Sequence, residues 1–299
     1  MTVHLDVRES DMRLDRYLAI HVPEYSRSYL QRLIVDGCVT LLGKPLKSSW
    51  KTVAGVEIMV VIPEPEASPI VPEHIPLDIV YEDEWLLVVN KAQGMVVHPA
   101  PGHRDGTLVN ALLDYCAGQL SDLNGVIRPG IVHRIDKDTS GLILVVKDNK
   151  IHADIAEKIR RHEVGRTYQA VVYGQVSTVQ GTIDAPIGRD PRNRQRMAVV
   201  ADGKPARTHF KVREQLNGAT WLEVQLESGR THQIRVHLQY IGHPVAGDPV
   251  YASKRPAWKL AGQALHAGAL DFIHPVTGNA MHVTCPLPDW FQALLKRLA

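Results

Sequence analysis

The sequence predicts an α+β protein with a mostly antiparallel sheet, preceded by a small N-terminal α/β unit. Two observations carry this. Strand-like and helix-like stretches mix without a regular βαβ rhythm, so a doubly wound parallel sheet is not expected. Residues 63–76 read PEPEASPIVPEHIP, with no apolar period and with prolines that favour extended backbone and refuse helix or central strand. A semi-rigid linker is expected there, dividing residues 1–62 from a larger domain over residues 77–299.

In the N-terminal unit, RLDRYLAIHV places Leu14, Tyr17, Leu18 and Val22 at helical spacing. A second helix follows, with Ser26 as N-cap, Tyr29, Leu30, Leu33 and Ile34 on its apolar face, and Gly37 where a left-handed C-terminal residue is wanted. CVTLLG and VEIMVVI read as strands, with a GKP turn after the first. Beyond the linker, DIVYED, LLVVNK and MVVHP are predicted strands, and GTLVNALLDYC is a helix through Leu108, Leu112 and Tyr115. LILVV (142–146) is a strand and KIHADIAEKIRRHE (150–163) an amphipathic helix; YQAVVYG, THFKV and TWLEVQLESG are further strands. The segment LESGRTHQIRVHLQYIG ends in a helix defined by Ile234, Leu238 and Ile241, with Thr231 as its cap. Neither a glycine-rich phosphate loop nor an internal repeat is present.

Composition narrows the function classes. Hydrophobic residues make up 44% of 299 and mean hydropathy is −0.13, the profile of a soluble globular protein without a run long enough to cross a bilayer. The start, MTVHLDVRESDMR, carries acids and no apolar core of a signal peptide. Cys38, Cys116 and Cys285 lie far apart, which speaks against a disulfide framework and a thiolate zinc site and makes the cytoplasm the expected location. Histidines number 15, but His232 and His237 do not share a helix face and no zinc motif occurs, so no metal is expected. A net charge of +2 barely favours a polyanion. Basic residues do gather in EKIRRHEVGR, in RDPRNRQR and at Arg27 and Arg32; each group either covers phosphates or is a solvated face.

The chemistry concentrates in HRIDKDTSG (133–141). A carboxylate is a competent nucleophile or base only when ionised, and burial opposes ionisation unless a cation compensates. Arg230, after a glycine at a strand end, is the candidate cation, with Arg235 further in. Asp136 and Asp138 as a glycosidase pair fit less well. Two residues apart in an irregular turn, they have no assured separation of roughly 5–9 Å, and the chain has only 6% aromatics to stack on sugars.

HRIDKDTSGLILV, GRTHQIRVHLQYIGHPVAGDPVYA and VNKAQGMVVHPAPGHRDGTLVNALL resemble the signature segments of the RluA-type pseudouridine synthases. RLDRYL, SRSYLQRLIVDGCVTLLGKPLK and GVEI, in helix–helix–strand–turn–strand order, resemble the S4 RNA-binding domain. Together they span nearly the whole chain. The resemblance implies the pseudouridine-synthase fold and an isomerase that cuts the N1–C1′ bond of a uridine in RNA, turns the base and rejoins it through C5. It implies Asp136 as the essential acid, Asp138 as a turn residue, Tyr168 stacking on the target base and moving a proton, and Arg230 ion-paired with Asp136. Arg134 then occupies the place vacated by the flipped uridine, and Arg27, Arg32 and Lys44, with Lys47 nearby, meet structured RNA. The implied partner is a stem-loop of large-subunit rRNA, free or in a pre-ribosomal particle, and the implied chemistry uses no cofactor or metal; no membrane partner is expected, and a monomer is the default expectation where the sequence leaves the oligomeric state open. Residues 188–210 are the expected RNA clamp beside the site, and His133 is expected to be a satisfied buried histidine. The chain departs from the family pattern at Ala92, where proline is usual, and at Ile135, where leucine is commoner. The rival reading is a non-catalytic S4-type RNA-binding or ribosome-assembly protein; the intact Asp136, Tyr168 and Arg230 oppose it.

Overall fold

The computed structural model describes residues 2–23, 25, 27–63, 70–100, 102–123, 128–193, 196–255 and 258–299. Ser26 lies outside them. The N-terminal unit runs β1 (Thr2–Asp6), α1 (Leu14–His21), α2 (Arg27–Val35), β2 (Val39–Leu41), β3 (Lys44–Pro45) and β4 (Glu57–Val61), its antiparallel sheet ordered β1-β4-β2-β3. Leu14, Tyr17, Leu18, Val22, Leu30, Leu33 and Ile34 are buried with Ile58 and Val60 in a core of their own, and Gly37 is left-handed at φ 76°. The unpredicted β1 contributes only the half-buried Val3 and Leu5 to that core, too weak a pattern to stand out. Asp15 is buried and accepts hydrogen bonds from Arg13, Arg27 and Gln31. Burial opposes its charge, but those donors hold its carboxyl well below the usual range. Arg27 Nε and Nη2 donate to Asp15 at 3.2 and 2.5 Å while its side chain stays 55% exposed.

Of the expected linker, residues 64–69 lie outside the described residues and the rest is irregular, as predicted. Its second half is nevertheless no free spacer. Ile70 is buried in the main core, Val71 C=O accepts from Asn110 Nδ2 at 2.8 Å, and Glu73 accepts from Gly106 N–H at 3.0 Å.

The larger part comprises β5 (Ile79–Glu82), β6 (Leu86–Lys91), α3 (Leu108–Tyr115), β7 (Ser140–Val146), α4 (Asn149–Arg160), β8 (Gly165–Tyr173), β9 (Gln180–Asp184), β10 (Ile187–Arg189), β11 (Met197–Val199), β12 (Arg207–Leu216), β13 (Ala219–Leu226), α5 (Gln233–Tyr240), β14 (Leu265–Ile273), β15 (Ala280–Thr284) and α6 (Asp289–Leu298). Its nine-stranded sheet is ordered β5-β6-β7-β14-β8-β13-β12-β9, with β15 on β14, and β7–β14 is its parallel pair. The apolar runs in β6 and β7 follow from burial on both faces. Leu87, Val89, Ile143 and Val145 face one core while Leu86, Val88, Leu142, Leu144 and Val146 face another. Gly141 makes the parallel pairing possible: at φ 110°, a Cβ there would lie 2.2 Å from Ala267 O.

MVVHP, predicted as a strand, is irregular. Its carbonyls serve a helix end instead of a ladder: Val96 and Val97 C=O accept from Leu108 and Val109 N–H, the otherwise orphaned first amides of α3. The α4 helix starts at its Asp148 cap and stops at Arg160, three residues short of the predicted end. Residues 188–210 include the β10–β11 hairpin; Arg194 and Gln195 lie outside the described residues. Among the described residues no helix is long and apolar enough to cross a membrane.

Candidate active site

The loop leading into β7 carries HRID and is gripped by the turn after β6. Thr139 N–H donates to Asp136 C=O and closes the turn through the backbone. Gly94 N–H reaches Lys137 C=O at 3.0 Å and Gln93 Nε2 reaches Asp138 C=O at 3.0 Å. Lys91, at the end of β6, is 1% exposed, and its ammonium donates to the carbonyls of Ala92, Met95 and Lys137 at 2.8, 2.8 and 3.0 Å. Burial pulls its pKa down to about 7 against the attraction of Asp138 and Asp136, and three acceptors match the three protons of the charged form. This explains the VNKAQG segment physically: it fixes the backbone on the C-terminal side of Asp136.

From the other side, α5 supplies the cation. Arg235 forks onto Asp248, with Nε–Oδ2 at 2.7 Å and Nη2–Oδ1 at 2.9 Å, and offers Nη1 to Asp136 Oδ2 at 2.8 Å. The Arg235 and Asp248 side chains are 5% and 0% exposed; Asp136, at 19%, opens to the cleft. Burial works against the guanidinium, yet the two carboxylates more than offset it and raise its pKa. The Tyr251 ring lies 5.2 Å from the guanidinium carbon.

Asp136 opens into a cleft of about 770 Å³. Tyr168, on β8 opposite Val224 and Ala267, lines the same cleft, and burial pushes its phenol pKa up. Arg32, Arg128, Arg134, Arg160, Arg166 and Arg230 line it with Arg235, and Asp136 is the only carboxylate among the described lining residues. Such a surface suits a polyanion, and the one acid, pinned by a guanidinium, is placed to act as nucleophile or base on whatever fills the cleft.

Residues 85–240 match the family model described as RNA pseudouridylate synthase. Over 286 residues the chain is 50% identical to an uncharacterised RNA pseudouridine synthase of Bacillus subtilis, covering 96% of this chain and 94% of the relative. It is 47% identical over 297 residues to the ribosomal large subunit pseudouridine synthase D of Zymomonas mobilis, covering 96% and 93%. The chain belongs to the RNA pseudouridylate synthase family. The synthase also resembles the solved structure of human RNA pseudouridylate synthase domain containing 1, with a TM-score of 0.59 and 26% identity over 71% of this chain and 84% of that one. Family membership makes it an isomerase acting on RNA.

Within the synthase, the ion pair expected of Arg230 is made by Arg235. Arg230 sits in the stretch before α5, exposed at the cleft rim, with Nε donating to Pro205 C=O at 3.1 Å. Only an arginine one turn into the helix, on the inward side with Ile234 and Leu238, is enclosed enough to be forked by Asp248. The cap also differs: His232 replaces Thr231 as N-cap, in a left-handed conformation at φ 57° and without a side-chain cap bond. Lys91, Asp248 and His232 are site residues to which the motif reading gave no role. The detectable signal for Lys91 was a lysine ending a strand whose pattern is buried on both faces.

Arg134 projects into the cleft, exposed, with Nη1 at 3.4 Å from His98 Nε2. Burial, then Arg128 and Arg134, push the His98 pKa down to about 4, so its neutral ring can accept. Arg160 and Arg161 pair with Glu157, and Arg160 also reaches the cleft. Lys44 and Lys47 are exposed on the N-terminal unit. The β10–β11 hairpin is anchored by Tyr251, whose hydroxyl accepts from Met197 N–H at 3.1 Å and whose ring lies under the Arg196 guanidinium, 5.0 Å from its carbon.

His133 does more than fill space. Its Nε2 accepts from Leu144 N–H at 2.9 Å, tying the loop to β7, and this acceptor role requires an unprotonated Nε2. Burial, with Arg166 adding to it, depresses its pKa from 6.5 to about 3. The unfolded chain therefore binds the proton first, so this contribution is fully present above pH 6.5 and is lost as pH falls toward the folded value. Thermal melts should show about 2 kcal/mol lost between pH 6.5 and about 5 from this group, and His133→Gln should flatten that slope.

Proposed function

We propose that the synthase converts uridines of large-subunit ribosomal RNA to pseudouridine, with Asp136 as the essential carboxylate. The observation that carries the chemistry is the Asp136–Arg235–Asp248 arrangement at the mouth of an arginine-lined cleft; the name of the Zymomonas relative supports the rRNA target. A stacked uridine is unreachable, and extruding it costs roughly a few kcal/mol. Arg134 has the exposure and the planar group to fill the vacated stack. Tyr168 then flanks the uracil while Asp136 meets the ribose. The N1–C1′ bond breaks, a C5–C1′ bond forms, C5 gives up its proton and N1 gains one. Atoms and electrons balance without oxidation or net hydrolysis, so the reaction calls for no co-reactant.

In this reading residues 1–62 form an S4-like RNA-binding domain, with Arg32 reaching toward the cleft and Lys44 on its outer surface, joined through residues 63–76 to the catalytic domain at 77–299. Arg27 shapes that domain through Asp15. The basic hairpin clamps RNA beside the site. The enzyme acts as a monomer in the cytoplasm, on free rRNA or an assembling particle. Mapping pseudouridines across large-subunit rRNA from cells with and without the gene tests this. A few sites should vanish in its absence, and an unchanged map would overturn the target assignment.

A further inference from the structure

Asp136 has two carboxylate oxygens, and Arg235 explains only one of them. Facing the other, Oδ1, is His232 Nε2 at 3.9 Å. His232 is held there by unusual means. Its backbone is left-handed at φ 57°, ψ 21°, a conformation that non-glycine residues adopt at a cost and that is repeatedly found where function requires it. Its other nitrogen, Nδ1, lies 3.0 Å from the Tyr251 hydroxyl, and the two rings meet edge to face at 84°.

The Tyr251 hydroxyl has one proton and two lone pairs. One lone pair receives Met197 N–H at 3.1 Å, leaving the proton to go either to His232 Nδ1 or to Met197 C=O at 3.2 Å. In the first case the His232 proton sits on Nε2 and points at the carboxylate. In the second it sits on Nδ1, and a lone pair confronts the anion. Charge–dipole attraction to Asp136 selects the first. Burial also lowers the His232 pKa, with Asp136 opposing this and Arg235 reinforcing it, so a neutral ring whose tautomer matters is the relevant form.

Resting on Asp136 as the reacting group, we propose that His232 is a positioning residue: its Nε2–H, in a tautomer fixed by the Tyr251 hydroxyl, is the second donor that orients Asp136 through Oδ1. The gap of 3.9 Å closes when substrate fills the cleft, as catalytic hydrogen bonds that are long in free enzymes commonly do. The same hydroxyl that fixes the tautomer accepts from Met197 N–H in the basic hairpin. RNA on that hairpin thus has a direct mechanical route to the catalytic carboxylate.

Two measurements on the full-length protein test this. Long-range ¹H–¹⁵N spectra, with the His232 signal assigned by its loss in His232→Gln, should show the Nε2–H tautomer at neutral pH. A dominant Nδ1–H tautomer would overturn the proposal, and this reading does not depend on turnover. In single-turnover assays on a large-subunit rRNA transcript, His232→Ala should lower the rate about 10- to 100-fold with RNA affinity unchanged. His232→Gln, whose amide N–H reaches the same oxygen, should restore most of the rate. A rate for His232→Ala within twofold of wild type, or a glutamine variant no better than alanine, would contradict it. Should the alanine variant not fold, Tyr251→Phe carries the same test, with a loss of about threefold to tenfold expected and an unchanged rate contradicting. Failure of the underlying functional reading would look different, because wild type itself would then form no pseudouridine.

Discussion

Asp136→Asn is expected to reduce single-turnover pseudouridine formation by about 10⁴-fold or more, with RNA affinity unchanged or slightly higher. Asparagine keeps the shape and an oxygen for Arg235 Nη1, so the loop geometry survives; what disappears is the anion. RNA binding rests on the arginines of the cleft, and Asp136 is the single acid among its described lining residues, so removing that charge relieves repulsion of phosphate. Product can be counted after nuclease digestion by mass spectrometry, and affinity by filter binding. A large loss of affinity alongside the loss of turnover would mean that Asp136 organises the cleft, not the reaction.

Arg235→Leu should be the most damaging structural change at the site. Asp248 has a fully buried side chain and, among the described residues, would keep the amides of Val250 and Tyr251 as donors. Removing one partner of such a pair typically costs about 3–5 kcal/mol, to be read as a fall in denaturant midpoint. Arg235→Lys retains a charge but cannot fork Asp248 and reach Asp136 together, so it should fold better than the leucine variant and still lose most turnover. Arg230→Ala supplies the contrast. Its guanidinium is exposed and among the described residues touches only Pro205 C=O, so stability should move by no more than about 0.5 kcal/mol. Equal destabilisation by the two arginine changes would contradict the assignment of the ion pair.

What the sequence made legible is what depends on neighbours along the chain. The periodicity of α1, α2, α3 and α4 and the doubly apolar runs of β6 and β7 are local patterns, and all appear in the fold. The site's motif was equally plain. Which arginine of GRTHQIR turns inward was not, because it depends on where α5 begins, and His232 starts it in a conformation that composition does not announce. The cleft's charge was hidden by the modest net charge of +2: its arginines come from segments around positions 32, 128, 134, 160, 166 and 230–235 that only the fold assembles. β14 went unpredicted for a related reason. It runs between β7 and β8, where Gly141 meets Ala267, and small residues that permit close backbone approach dilute the apolar alternation that marks a strand.

The question of which acid in HRIDKDTSG reacts is settled most directly by assaying Asp136→Asn and Asp138→Asn side by side, under single-turnover conditions on one rRNA transcript. Asp138, behind the turn and packed against Gly262, should tolerate the change and still give pseudouridine, while the position 136 variant gives none. Product from Asp136→Asn at a rate near wild type, or equal loss from both variants, would contradict the claim that a single carboxylate held by Arg235 performs the reaction.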